Sequence, residues 1–201
     1  MGRIDAASLD AVTIDGYGTL LTVVDPVPSL EELLPSHDRE SIEHAFRAET
    51  AYYQEHASEG GTTQELALLH ERSVAVFNDA LGSELSPSAY VGAFDFELLP
   101  GVREALDALR ARGLSLAVVA NWDISLHERL ERVAIAQFFS AVVPAASKPA
   151  PGGIHRALGQ LRVDADRALH IGDSESDERA ARAAGVRFLP APLTSAVATL
   201  A

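Results

Sequence analysis

The chain has 201 residues, no cysteine, and a formal net charge of −13 from 29 acidic and 16 basic residues. That length holds one sizeable core, or one core with a small accessory module. The acidic balance argues against nucleic acid as a partner, and the lack of cysteine excludes disulfides and thiol chemistry. Arg3, Asp5 and Asp10 interrupt the first ten residues, so no signal-peptide core is expected there. No apolar run approaches the roughly 18 residues of a membrane span, so the expectation is a soluble, cytoplasmic protein without a membrane partner.

In chain order, the first element is a short apolar run, Val12-Thr13-Ile14, that ends in Asp15 and turns at once through Gly16-Tyr17-Gly18-Thr19. An acid at the carboxyl end of a buried strand, in a glycine-permitted turn, lies where α/β proteins place their ligands. Asp25-Pro26-Val27-Pro28 then stiffens the backbone. Only helical patterns follow, over residues 41–56, 63–81 and 86–92, before FDFELLPG at 94–101 brings the chain back. This reads as an inserted helical module of residues 25–97 between two core segments, 1–24 and 98–201.

From Gly101 onward helices and strands alternate. Val102, Ala105, Leu106 and Leu109 share a helical face that Gly113 stops. LSLAVVA at 114–120 is an apolar run of the kind a buried parallel strand shows. A helix marked by Leu126, Leu130 and Val133, a short strand at 141–143, and a helix marked by Ile154, Ala157, Leu158 and Leu161 come next. A strand at 168–171, a helix at 177–184 stopped by Gly185, and a strand at 186–189 complete the pattern. Such alternation predicts an α/β fold with a parallel sheet covered on both faces.

Four segments combine polar chemistry with strand ends: IDGYGTL at 14–20, VVANWD at 118–123, SKP at 147–149 and GDSESD at 172–177. Lys148 is the only lysine of the chain. In their order and spacing these segments resemble the haloacid dehalogenase (HAD) superfamily of hydrolases. The resemblance implies a Rossmann-like parallel sheet core with an inserted helical cap that closes over the site, excludes water and selects the substrate. It also implies hydrolysis through an aspartyl-enzyme ester.

On that resemblance, Asp15 is the nucleophile, since a carboxylate can attack phosphorus or carbon and leave an ester that water then cleaves. The plainer role for such an Asp is to cap a turn through its own backbone. Thr19 and Asn121 are candidates for orienting the electrophile, with backbone N–H groups of the 16–19 loop, Gly18 among them, cradling phosphate oxygens. Lys148 would hold the nucleophile and neutralise anionic charge. Asp15, Asp173, Asp177 and the Tyr17 backbone carbonyl are the candidate ligands of a magnesium ion, which takes hard oxygen donors and keeps several waters. In the family the first acid of the GDSESD-type motif is the usual direct ligand, and Asp177 at a helix start also suits the helix dipole.

Two positions depart from the family's phosphatases. Tyr17 stands where they carry a second Asp, and Ala120 where they carry Ser or Thr. A tyrosine titrates near pH 10, so it can donate a proton but is a weak base at neutral pH. The D-x-Y-G-T pattern resembles the 2-haloacid dehalogenase branch, which works without metal. Phe46–Tyr53 resembles part of that branch's cap, which makes Arg47 a candidate for binding a substrate carboxylate, against its plainer role as a solvated helix residue. Against the dehalogenase stand Ala120, Ile154 in place of a Tyr, and the retained Gly172-Asp173 pair. His37 and His44 read as cap surface, and Trp122 as packing against the cap. The expected function is therefore magnesium-dependent hydrolysis of a small, anionic phosphorylated metabolite, by a monomer or homodimer. The alternatives are a metal-independent 2-haloacid dehalogenase and a catalytically degenerate binding protein.

Overall fold

The computed structural model describes residues 4–200; residues 1–3, Arg3 among them, and residue 201 lie outside the described residues. The chain runs through β1 (Ala11–Ile14), β2 (Leu21–Val23), α1 (Val27–Leu33), α2 (Arg39–His56), α3 (Thr63–Leu81), α4 (Pro87–Gly92) and β3 (Phe96–Leu98). It continues through α5 (Val102–Ala111), β4 (Ser115–Val119), α6 (Leu126–Arg132), β5 (Ala141–Val143), α7 (Gly152–Leu161), β6 (Ala168–Gly172), α8 (Glu175–Ala184), β7 (Arg187–Pro190) and α9 (Leu193–Ala198). Five strands form one parallel sheet in the order β5-β4-β1-β6-β7, and β2 and β3 form a separate antiparallel ribbon.

The central strands are apolar on both sides because both faces are covered. In β4, Leu116 and Val118 join the larger core with α5, α6 and α9, while Ala117 and Val119 join a second core with α7 and α8. In β1, Val12 and Ile14 take the first side. Thr13 of β1 and His170 of β6 are polar yet fully buried, with Thr13 Oγ1 2.9 Å from His170 Nδ1.

Helices α1 to α4 form the inserted helical cap, which leaves the core between β2 and β3. It has its own apolar cluster, in which Leu30, Ile42, Val74, Phe77 and Tyr90 are buried. Local chemistry fixes the helix ends. Asp38, Thr62 and Ser86 cap α2, α3 and α4 by accepting backbone N–H bonds, and Gly82 ends α3 in the left-handed region at φ 72°.

Three features go beyond the sequence pattern. Helix α1 forms across the Pro-rich stretch, because proline in a first helical turn is pre-set for φ and gives up no needed N–H. The β2–β3 ribbon has strands of three residues, too short to carry a period. The short α9 buries Leu193, Ala196 and Val197. Helix α8 starts at Glu175, two residues before the sequence-expected start, because Ser174 and Asp177 form a reciprocal capping box.

Candidate active site

Strand order places the four polar segments together. β1, β4, β5 and β6 are neighbours and parallel, so their carboxyl ends deliver Asp15, Asn121, Lys148 and Asp173 to one edge of the sheet. Two positive-φ residues without glycine's freedom, Ala145 (47°) and Ser147 (58°), shape the loop that carries Lys148. Backbone held in that region costs about 1 kcal/mol or more per residue and persists where the surroundings over-determine it.

At the centre Lys148 Nζ bridges two carboxylates, Asp15 Oδ1 and Asp177 Oδ1. All three residues are buried, Asp15 at 6% exposure and Lys148 at 7%. His170 Nε2 lies 3.2 Å from the same Asp177 oxygen. A carboxylate only accepts, so the His170 proton is on Nε2, leaving Nδ1 to accept from the Thr13 hydroxyl. Burial pushes the His170 pKa down, which keeps this ring neutral. A continuous chain of hydrogen bonds thus runs from Thr13 in the sheet through His170, Asp177 and Lys148 to Asp15.

The two carboxylates differ in proton affinity although they share one lysine. Burial raises the Asp15 pKa to about 6, against the opposing pull of Lys148. Burial also acts upward on Asp177, but there the His170 hydrogen bond, the Lys148 charge and the Ser174 hydrogen bond prevail and hold it well below the usual carboxylate range. Asp177 is the fixed anion, and Asp15 is the carboxylate with less to stabilise its charge.

Carboxylate oxygens of Asp15, Asp173 and Asp177 lie within 4.8 Å of one another. Both oxygens of Asp177 are already engaged, Oδ1 by Lys148 and His170, and Oδ2 by the Ser174 N–H at 3.1 Å and the Ser174 hydroxyl. Asp173 is exposed, and burial followed by the Asp177 charge raises its pKa. The Tyr17 carbonyl accepts no hydrogen bond among the described residues. A hard cation therefore has compatible oxygen donors in the carboxylates of Asp15 and Asp173, with those of Asp177 already engaged.

Gly18 makes that approach possible. Its φ is +79°, and a Cβ there would stand 2.3 Å from Asp173 Oδ2. Gly18→Ala is expected to cost about 1–2 kcal/mol in backbone strain. By displacing Asp173 it should also lower metal affinity or activity by about 10- to 100-fold. Urea unfolding and magnesium titration of the variant check the two effects separately.

The remaining candidates fall out unevenly. Asn121 Nδ2 donates to the Lys148 carbonyl at 2.8 Å, and its Oδ1 accepts from the Lys148 N–H at 2.7 Å, so its side chain positions the lysine and keeps one N–H free. Thr19 is 1% exposed, its Oγ1 makes no hydrogen bond among the described residues, and it is not part of the cavity wall. Arg47 points away: its side chain is 65% exposed and its guanidinium lies 3.8 Å from Glu43. Tyr17 lines the cavity at 47% exposure, its ring edge-on to Trp122 with centroids 6.4 Å apart. Trp122 is buried against Phe96 as well.

A cavity of about 580 Å³ opens from Asp15 towards the cap. Its walls include groups that sequence patterns did not single out: Glu49, Tyr53, His70 and Arg129. Glu49 is a buried cap carboxylate that accepts from the hydroxyls of Ser73 and, at 2.8 Å, Tyr90; burial raises its pKa. Tyr53 of the cap donates to Asp123 of the core at 2.6 Å. Phe46, Glu49 and Tyr53 recur at helical spacing, which signals an inward face, but not what it meets.

The profile of the haloacid dehalogenase-like hydrolases matches residues 9–185. The chain is 39% identical over 99 residues, 47% of its length, to haloacid dehalogenase-like hydrolase domain-containing protein 3 of Xenopus laevis, and that stretch is 41% of the relative. The Bos taurus counterpart is likewise 39% identical, with 44% of its length covered, so the chain spans under half of these relatives. A phosphoglycolate phosphatase of Pseudomonas putida is 28% identical over 193 residues, 92% of this chain and 67% of that one. The fold is similar to that of L-2-haloacid dehalogenase from Xanthobacter autotrophicus, with TM-score 0.68 at 20% identity over 90% of this chain and 76% of that one.

Proposed function

We propose a reaction for this chain, which belongs to the haloacid dehalogenase-like hydrolase family: magnesium-dependent hydrolysis of a small phosphate monoester through an ester on Asp15. The observation that carries the reading is the buried Asp15 carboxylate held by Lys148 beside the exposed Asp173 carboxylate at the floor of the cavity. The similarity to phosphoglycolate phosphatases over most of the chain supports phosphorus rather than carbon as the electrophile.

In this reaction the free oxygen of Asp15 attacks phosphorus while Lys148 fixes the other. Tyr17, which lines the cavity, would donate its hydroxyl proton to the departing alcohol oxygen. The resulting phenolate is a strong base, so it recovers the proton from the water that cleaves the aspartyl phosphate, and inorganic phosphate leaves. A magnesium ion at Asp15, Asp173 and the Tyr17 carbonyl would offset the repulsion between the carboxylate and the phosphate. The Tyr53–Asp123 bond ties the cap to the core and helps keep bulk water out. Residues 25–97 as the limits of the cap, a small anionic substrate, a monomer or homodimer, and placement in the cytoplasm belong to the same proposal. Among the described residues no helix is long and apolar enough to cross a membrane.

A second reading, metal-free hydrolysis of 2-haloacids, is favoured by one observation: Tyr17 occupies the position of the phosphatase acid. Product release from a mixed panel of phosphate esters and 2-haloacids, with magnesium or with chelator, separates the two. The expected outcome is phosphate release that chelator removes and magnesium restores. Halide release that survives chelation would replace the phosphatase reading with the dehalogenase one.

A further inference from the structure

Arg129 of α6 lines the same cavity as Asp15. Its Nε is buried without a hydrogen-bond partner, and among the described residues its guanidinium makes no side-chain hydrogen bond or ion pair. Its Cζ lies 5.0 Å from the centroid of the Phe96 ring. That contact uses the face of the guanidinium and leaves its edge of N–H donors unspent. A partly buried guanidinium with idle donors is costly unless something pairs with it.

Among the described residues no carboxylate pairs with it. The carboxylate of Asp123 is engaged by the Tyr53 hydroxyl and the Ser125 N–H, and that of Glu49 by Ser73 and Tyr90. Lys148, the other permanent cation of the cavity, is committed to Asp15 and Asp177. Burial holds the neighbouring His70 below its ordinary pKa, so it adds no second positive charge at neutral pH. Arg129 also borders a second cavity, lined among others by Glu71, Glu128 and Arg132, so its guanidinium lies between the two. In a chain of net charge −13, a single unspent guanidinium in the cavity is a local attractor for one negative charge.

We propose that Arg129 is a specificity-determining residue that binds a carboxylate on the non-reacting end of the substrate, pairing its planar fork with the two oxygens. The flat fork pairs bidentately with a carboxylate, and one positive charge balances one carboxylate but only half of a phosphate dianion. The inference rests on the reading of Asp15 as the reacting end of the cavity. It does not require that the bond cleaved there be to phosphorus.

The test is calorimetric binding of matched probes to wild-type protein, Arg129→Gln and Arg129→Lys. The probes are an alkyl phosphonate, the same chain ending in a carboxylate, and the plain alkyl carboxylate against its alcohol. Wild-type protein should prefer each carboxylate-bearing probe by about tenfold or more. Arg129→Gln should erase that preference and Arg129→Lys should retain part of it. In turnover, Arg129→Gln should raise KM for the carboxylated ester about ten times more than for its methyl-ended counterpart. A preference that survives in Arg129→Gln, its absence from wild type, or an equal loss for all probes overturns the proposal, the last by showing a packing role on Phe96. If no ester releases phosphate while the plain carboxylate still binds through Arg129, the phosphatase reading fails and the carboxylate site stands.

Discussion

Asp15→Asn is expected to abolish hydrolysis, with kcat falling by about four orders of magnitude or more, while the fold is retained. Asparagine keeps the shape and one oxygen for Lys148 but is not a nucleophile that forms an ester. The sign of the stability effect follows from burial. Asp15 has its pKa raised to about 6 from 3.8, so the folded state disfavours its charge. Relative to the neutral side chain, that penalty is absent below pH 3.8 and grows as pH rises through about 6. The variant should therefore be at least as resistant to urea as wild type at pH 7 to 8. Turnover measured beside urea unfolding separates lost chemistry from lost structure, and undiminished turnover would remove the covalent ester from the mechanism.

Lys148→Met should be the most destabilising single change at the site. The lysine is the charge shared by two buried carboxylates, and methionine replaces its stem without its ammonium. Removing one partner from a buried ionic cluster leaves uncompensated charge and costs about 3–5 kcal/mol. Asp177 would keep His170 and Ser174, whereas Asp15 would lose the only side-chain ion-pair partner it has among the described residues. Adding Asp177→Asn should recover part of the loss, because it removes the nearest like charge. Chemical denaturation of the single and double variants gives the coupling directly. A loss below about 1 kcal/mol in the single variant would show that the lysine does not balance the pair.

The two variants probe different halves of one construction. Asp15 is reactive because its environment does little to stabilise its charge, and Asp177 is inert because three neighbours stabilise its own. A buried polar network from Thr13 to Lys148 holds this asymmetry in place, and every member has a partner. Satisfied networks of this kind specify one arrangement, which is what a nucleophile needs to meet its electrophile at a fixed angle.

The sequence by itself determined the alternation of buried strands and helices, the helical insertion, and the placement of Asp15, Asn121, Lys148 and Asp173 at strand ends. These are short-range properties: the apolar period of each segment and the strand-then-turn grammar survive in any stretch of about ten residues. Only the tertiary structure decided what each side chain does there. Asn121 sits where expected, yet its carbonyl oxygen and one N–H bond the Lys148 backbone, 27 residues away. His170 reads as one more strand residue, yet it anchors Asp177. Along α2, Phe46, Glu49 and Tyr53 face the cavity while Arg47, one position from Phe46, reaches solvent. Each helical residue turns about 100° from the last, so resemblance in a helix names the segment but not its phase. The free edge of Arg129 is invisible in sequence for the same reason: which groups stay unpaired depends on contacts between α6, the cap and β3, and periodicity records that a face is buried without recording its partner.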